Sequence, residues 1–126
     1  DAPCSGLGAL RRRPEARWRK KHSDLAGLVE TQTQLLNSAV TLTKPGGIVA
    51  YVTCSPVTAA TTDIVRAALA HHPNVEAMDT PLVPEEIVGR AIPGARRGSS
   101  VQLWTHRHGT DAMFIQLLRV NESSPR

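Results

Sequence analysis

Two cysteines and one run of basic residues are the parts of this sequence best suited to chemistry. Cys4 stands in Asp1-Ala2-Pro3-Cys4-Ser5-Gly6, and Cys54 stands in Thr53-Cys54-Ser55-Pro56. Each lies among small, turn-forming residues outside any apolar pattern, so a substrate can approach the sulfur. The thiolate is the reactive form, and a thiol with a pKa of about 8.5 is only slightly ionised at neutral pH. Backbone N–H groups and a following helix N-terminus can shift that balance. The chemistry offered is nucleophilic attack by one sulfur with a second sulfur at hand. A buried inert pair and a single structural disulfide remain open on spacing alone. A thiol redox couple is disfavoured, because the sequence has no CxxC.

The basic run is Arg11, Arg12, Arg13, Arg17, Arg19, Lys20 and Lys21, opposed only by Glu15, in a chain of net charge +4. It reads either as a solvated surface or as a strip facing a polyanion, since clustered Lys and Arg bind phosphates by displacing counterions. Trp18 adds a ring able to stack or pack. His71, His72, His106 and His108 have no cysteine or acid at ligand spacing, so no metal site is expected. No apolar run approaches the ~20 residues that cross a bilayer, and no signal-like segment opens the chain, so a cytoplasmic protein without membrane contact is expected.

The elements that must position the two thiols follow from periodicity. Asp1 to Leu10 reads as the end of a strand breaking into a glycine-rich loop, and a short helical piece is expected near Pro14 to Trp18. Ser23 is a plausible N-cap for a helix running to about Leu42. Leu25, Leu28, Val29, Gln32, Leu35, Leu36, Ala39 and Val40 would share its inner face. Pro45-Gly46-Gly47 stops it. Ile48 to Thr53 is β-branched and nearly continuous, which suits a strand covered on both faces. A second helix, capped by Thr58, Thr61 or Thr62, turns Ile64, Val65, Ala68 and Leu69 inward and closes at His71-His72. Val75 to Met78 is a short strand. A long connection over 79–100, with one helical turn near Pro84 to Val88, leads to antiparallel strands at 101–104 and 113–118, joined by a turn containing 108–111.

This order describes the C-terminal half of a doubly wound, Rossmann-like α/β fold: parallel strands followed by an antiparallel hairpin. In such sheets ligands bind beyond the carboxyl ends of the strands. Both cysteines follow a strand end, and the single crossover helix between them predicts neighbouring strands about 4.8 Å apart. Residues 1–120 are expected to form the domain portion, with 121–126 a frayed tail. Opening on Asp1 without Met, the chain reads as cut from something longer.

At these residues the sequence resembles a family. Asp1-Ala2-Pro3-Cys4-Ser5-Gly6 and Thr53-Cys54-Ser55-Pro56 are similar to the two cysteine motifs of the Sun/Fmu branch of the Nol/Nop/Sun RNA cytosine-5 methyltransferases. Leu10-Arg11-Arg12-Arg13-Pro14-Glu15 resembles the basic segment after the first motif, and His108 to Phe114 resembles the closing strand motif. The likeness runs over essentially the whole chain, in order. It implies the C-terminal part of an S-adenosyl-L-methionine-dependent catalytic domain acting on RNA, 16S ribosomal RNA more than transfer RNA. It further implies that Cys54 attacks cytosine C6, that Cys4 assists release, and that Asp1 meets the cofactor or the base edge. Pro3 would shape the pocket wall, Ser5 would sit at the substrate, and Arg11, Arg12, Arg13 and Arg17 would hold phosphates around a flipped base. A non-catalytic RNA-binding module is the competing expectation.

Two departures are visible. Ala60 stands where relatives often carry Glu, which would weaken hydrogen bonding near Cys54, and Ala112-Met113 replaces the usual Gly-Phe. The family's glycine-rich cofactor loop and ribose-binding acid do not occur in these residues. The isolated chain is therefore expected to be inactive, and to self-associate through the sheet edge that the Asp1 strand would expose.

Overall fold

The structure, a computed structural model, describes residue 2, residues 22–79 and residues 96–122. Helix α1 (His22–Leu42) leads into strand β1 (Ile48–Thr53), a 3-10 turn (Thr58–Ala60) and helix α2 (Thr62–His71). Strand β2 (Val75–Met78) follows, then β3 (Arg96–Arg97), β4 (Ser100–Leu103), the short helix α3 (Thr105–His108) and β5 (Met113–Val120). The expected helical pieces near Pro14 and Pro84 lie outside the described residues.

Strand β5 organises the sheet. It pairs antiparallel with β1 along one edge, and with both β2 and β4 along the other. Strands β1 and β2 therefore run in the same direction with β5 inserted between them. Every described neighbour pair is antiparallel, so the parallel relation is indirect. Register places Thr53 opposite Phe114 and Phe114 opposite Gln102, so these three share one row on one face. Along β1 the other neighbour is Ala2, whose N–H donates to the Val52 carbonyl at 2.8 Å.

Helices α1 and α2 cover one sheet face. Gln32, Leu36 and Val40, spaced four apart, form the buried line of α1, while Ile64, Val65 and Ala68 do the same for α2. They close over Val49, Tyr51, Phe114, Leu118 and Val120. Phe114 and Leu118 are fully buried, and the Tyr51 and Phe114 rings meet edge-on at 6.2 Å. Leu35, expected on the inner face, is 48% exposed because it sits one helical step off that line.

Several expectations are corrected. Strand β1 is not covered on both faces: Ile48 and Ala50 are exposed, and no described element packs on that side. Ser23 lies within the first turn of α1 rather than capping it. Thr61 does occupy the N-cap position of α2, but its Oγ1 donates back to the Val57 carbonyl at 2.9 Å instead of capping. The turn expected at 108–111 is preceded by the short helix α3, which ends at His108 with Gly109 at φ 66° as its C-cap. Asn121 is not frayed, since its N–H donates to the Asn74 carbonyl while Asn74 Nδ2 donates to the Asn121 carbonyl. Residues 123–126 lie outside the described residues.

The reversal from α1 into β1 depends on two glycines. Gly46 adopts φ 84°, a conformation costly for a side chain. A Cβ on Gly47 would fall 2.5 Å from Thr43 Cγ2 and 2.9 Å from the Lys44 carbonyl. The turn is clamped to β5 by Gly46 N–H to the Val120 carbonyl and Val120 N–H to the Gly47 carbonyl. This clamp fixes the height at which β1 starts, and hence where it ends.

Candidate active site

Cys54 is the first residue beyond β1, and its segment is held from several sides. Thr53 and Ser55, on either side of it, are fully buried, while Cys54 itself is half-buried. Ser55 Oγ accepts the Val57 N–H at 3.0 Å, folding the segment into a tight turn. The Thr61 hydroxyl anchors the far side of that turn on the Val57 carbonyl. Tyr51 Oη donates to the Ala60 carbonyl at 2.8 Å, tying the 3-10 turn back to β1.

Gln102 completes the frame. Its side chain is 1% exposed, and Nε2 approaches the carbonyls of Leu103 and Met113 at 3.1 Å and that of Ser55 at 3.5 Å. One amide thus spans β4, β5 and the residue after Cys54. Thr53 Oγ1 and Gln102 Oε1 are buried with no hydrogen-bond partner among the described residues. The result is a half-buried cysteine on a short turn tied down by buried polar contacts.

Ala60 is 2% exposed, so the position expected to weaken hydrogen bonding contributes its carbonyl to Tyr51 from an apolar setting. Ala112 is likewise buried, at 5% exposure. The following helix begins at Thr62 with Thr61 at its N-cap, one of the three expected positions, and the 3-10 turn lies between it and Cys54.

Of the residues singled out by sequence, Cys54 alone falls where its surroundings are described. Asp1, Pro3, Cys4, Ser5, Arg11, Arg12, Arg13 and Arg17 lie outside the described residues. Among the described residues Ala2 links to that segment: its bond to Val52 sets residue 2 beside β1, with Cys4 two residues further in sequence and Cys54 two residues beyond Val52. Sequence reasoning missed Tyr51 and Gln102 and offered Thr61 only as a helix cap. The Tyr51 and Gln102 roles come from pairings across 9 and 47 residues, and only a β-strand glutamine at an otherwise apolar position hinted at one of them.

The histidines do other work. His72 Nε2 lies 3.0 Å from Asn37 Oδ1 and joins the end of α2 to α1. Burial, and then the neighbouring His71, hold the His72 ring below the usual histidine pKa. Among the described residues no group of three or more His, Cys, Asp or Glu could hold a metal ion, and no helix is long and apolar enough to cross a membrane.

Comparison with known proteins adds the wider context. Residues 1–119 match the family described as 16S rRNA methyltransferase RsmB/F. A Mycobacterium tuberculosis protein named as a methyltransferase is 55% identical over 119 residues, covering 94% of this chain and 25% of its own. The solved structure of PH0851 superposes with a TM-score of 0.81 at 33% identity, over 94% of this chain and 25% of the other. NSun6 from Pyrococcus horikoshii, solved with SFG, superposes with a TM-score of 0.74 at 19% identity, over 98% of this chain and 29% of the other. The chain thus spans about a quarter of the length of the relatives it matches.

Proposed function

Because the chain belongs to the RsmB/F family of 16S rRNA methyltransferases, we propose that it carries the substrate side of an RNA cytosine-5 methyltransferase, with Cys54 as the attacking thiol. Cytosine C5 is a poor nucleophile. Addition of the Cys54 thiolate to C6 breaks the C5–C6 double bond and makes C5 enamine-like, able to take a methyl group. Loss of the C5 proton to a base then re-forms that double bond and expels the Cys54 sulfur. Cys4 assists this release. S-adenosyl-L-methionine supplies the methyl group when bound. Asp1 is the residue proposed to meet it, and the Ala2–Val52 bond, at the carboxyl end of β1, fits that assignment.

The observation that supports this reading is the setting of Cys54: a half-buried residue on a turn fixed by Ser55, Thr61, Tyr51 and Gln102. A nucleophile that must meet a flipped base gains from such pre-organisation. Pro3, Ser5 and the arginines Arg11, Arg12, Arg13 and Arg17 are proposed to contact the RNA around that base. Small-subunit ribosomal RNA is the proposed substrate, in the cytoplasm.

RNA carrying 5-fluorocytosine tests the assignment, because fluorine at C5 blocks the final elimination. In the full-length enzyme a covalent adduct is expected, lost in Cys54→Ser and retained in Cys4→Ser. Binding without any adduct would instead mark a non-catalytic RNA-binding module.

A further inference from the structure

Beyond the Cys54 turn, the helix-covered face of the sheet holds a second concavity. It is a cleft of about 270 Å³ between α2 and the β3–β4 hairpin, lined by Thr62, Arg66, Ala77, Arg97, Ser99 and Gln116 among others. Phe114 also lines it, and Phe114 is the register partner of Thr53, the residue before Cys54. Strands β4 and β3 of the hairpin are two and three strand spacings from β1, roughly 10 and 14 Å. Cleft and thiol are therefore close enough to engage adjacent parts of one polymer.

The cleft is basic and rigid. Arg97 has no ion-pair partner among the described residues. Arg66 meets only Asp63, at 3.4 Å with both side chains at least half exposed, a contact of little strength that another anion can replace. Gly98, at φ 60°, makes the tight turn between β3 and β4. Ser99 Oγ donates to Gln116 Oε1 at 3.0 Å, and Gln116 Nε2 donates to the Met78 and Leu117 carbonyls at 2.9 and 2.8 Å. Buried Gln116 thus pins the hairpin across the gap between β2 and β4, and Arg97 stands on a fixed wall. From Arg90 to Thr110 the sequence carries four arginines and no acid.

We propose that the Arg66–Arg97 cleft binds a backbone phosphate of the RNA strand flanking the target nucleotide. Guanidinium groups match phosphate oxygens in geometry and in charge. This inference rests on the reading of RNA as substrate and is separate from the role of Cys54. It adds a phosphate contact on the side of the sheet away from the Ala2 edge.

Salt-dependent binding of a short single-stranded RNA by the full chain, followed by fluorescence anisotropy, tests the cleft. Arg97→Gln and Arg66→Gln should each weaken binding severalfold and reduce the slope of log K against log salt by about 0.7. Arg97→Lys, which keeps the charge, should hold the slope near the parent value. Arg119→Gln, an exposed arginine opposite Glu76 on β5, removes the same charge elsewhere and should leave the slope unchanged. Equal slope changes in all three Gln variants would overturn the proposal by reducing it to net charge, and absence of RNA binding would overturn it outright. A missing Cys54 adduct with the slope differences intact would sink the reaction scheme and leave the cleft standing.

Discussion

Gln102 and Thr53 show how differently two buried polar side chains weigh on one site. Gln102 gives its amide to carbonyls on three segments, so Gln102→Met would leave buried acceptors short of donors. A loss of about 1–3 kcal/mol is expected in chemical denaturation. The same change should loosen the turn, and Cys54 should then be alkylated faster by iodoacetamide, with peptide mass spectrometry separating it from Cys4. The Thr53 hydroxyl has no hydrogen-bond partner among the described residues to lose. Thr53→Val is therefore expected to leave the denaturation midpoint unchanged or raise it, and a clear drop would mean the hydroxyl is bonded after all. The Cys54 motif was legible in the sequence because its neighbours are local. Gln102 was not, because its importance lies in an acceptor 47 residues away.

At the level of elements, the link between the two helices carries a pH dependence. The His72 ring is held below the ordinary histidine pKa of 6.5 by burial and by His71. As pH falls through that value the unfolded chain takes up a proton before the folded one does, so stability is lost on acidification and is full above it. Thermal midpoints between about pH 5 and 7.5 should rise with pH, and His72→Gln should flatten part of that rise. Both helices, β1, β2 and the closing strand were readable from periodicity. The apolar run Ile48 to Thr53 suggested cover on both faces, yet β-branched residues are equally content on one covered face and one open one. The antiparallel insertion of β5 was out of reach because pairing order is set by register between distant segments.

On the scale of the whole molecule, one face of β1 stands open among the described residues. Ile48, at 53% exposure, and Ala50 form an apolar surface beside Val52, with Ala2 on the adjoining edge. The chain spans about a quarter of the length of its relatives and carries the proposed nucleophile. Isothermal titration of the 126-residue chain with S-adenosyl-L-methionine is expected to show weak binding or none. Robust methyl transfer by this chain alone would contradict that expectation. The two cysteine motifs made the family legible without any structure, whereas the Arg66–Arg97 cleft needed the hairpin to be folded against α2.

The position of β5 also bears on how the protein emerges from the ribosome. Strands β1, β2 and β4 share it as their common partner, yet it is synthesised after all of them. At about 5–20 residues per second, the roughly 60 residues between β1 and β5 take several seconds to appear. Throughout that interval the strand leading to Cys54 lacks the neighbour that sets its register. The proposed nucleophile can thus be set in its final place only after Met113–Val120 has been translated, so completion of the site waits on the strand that follows it by about 60 residues.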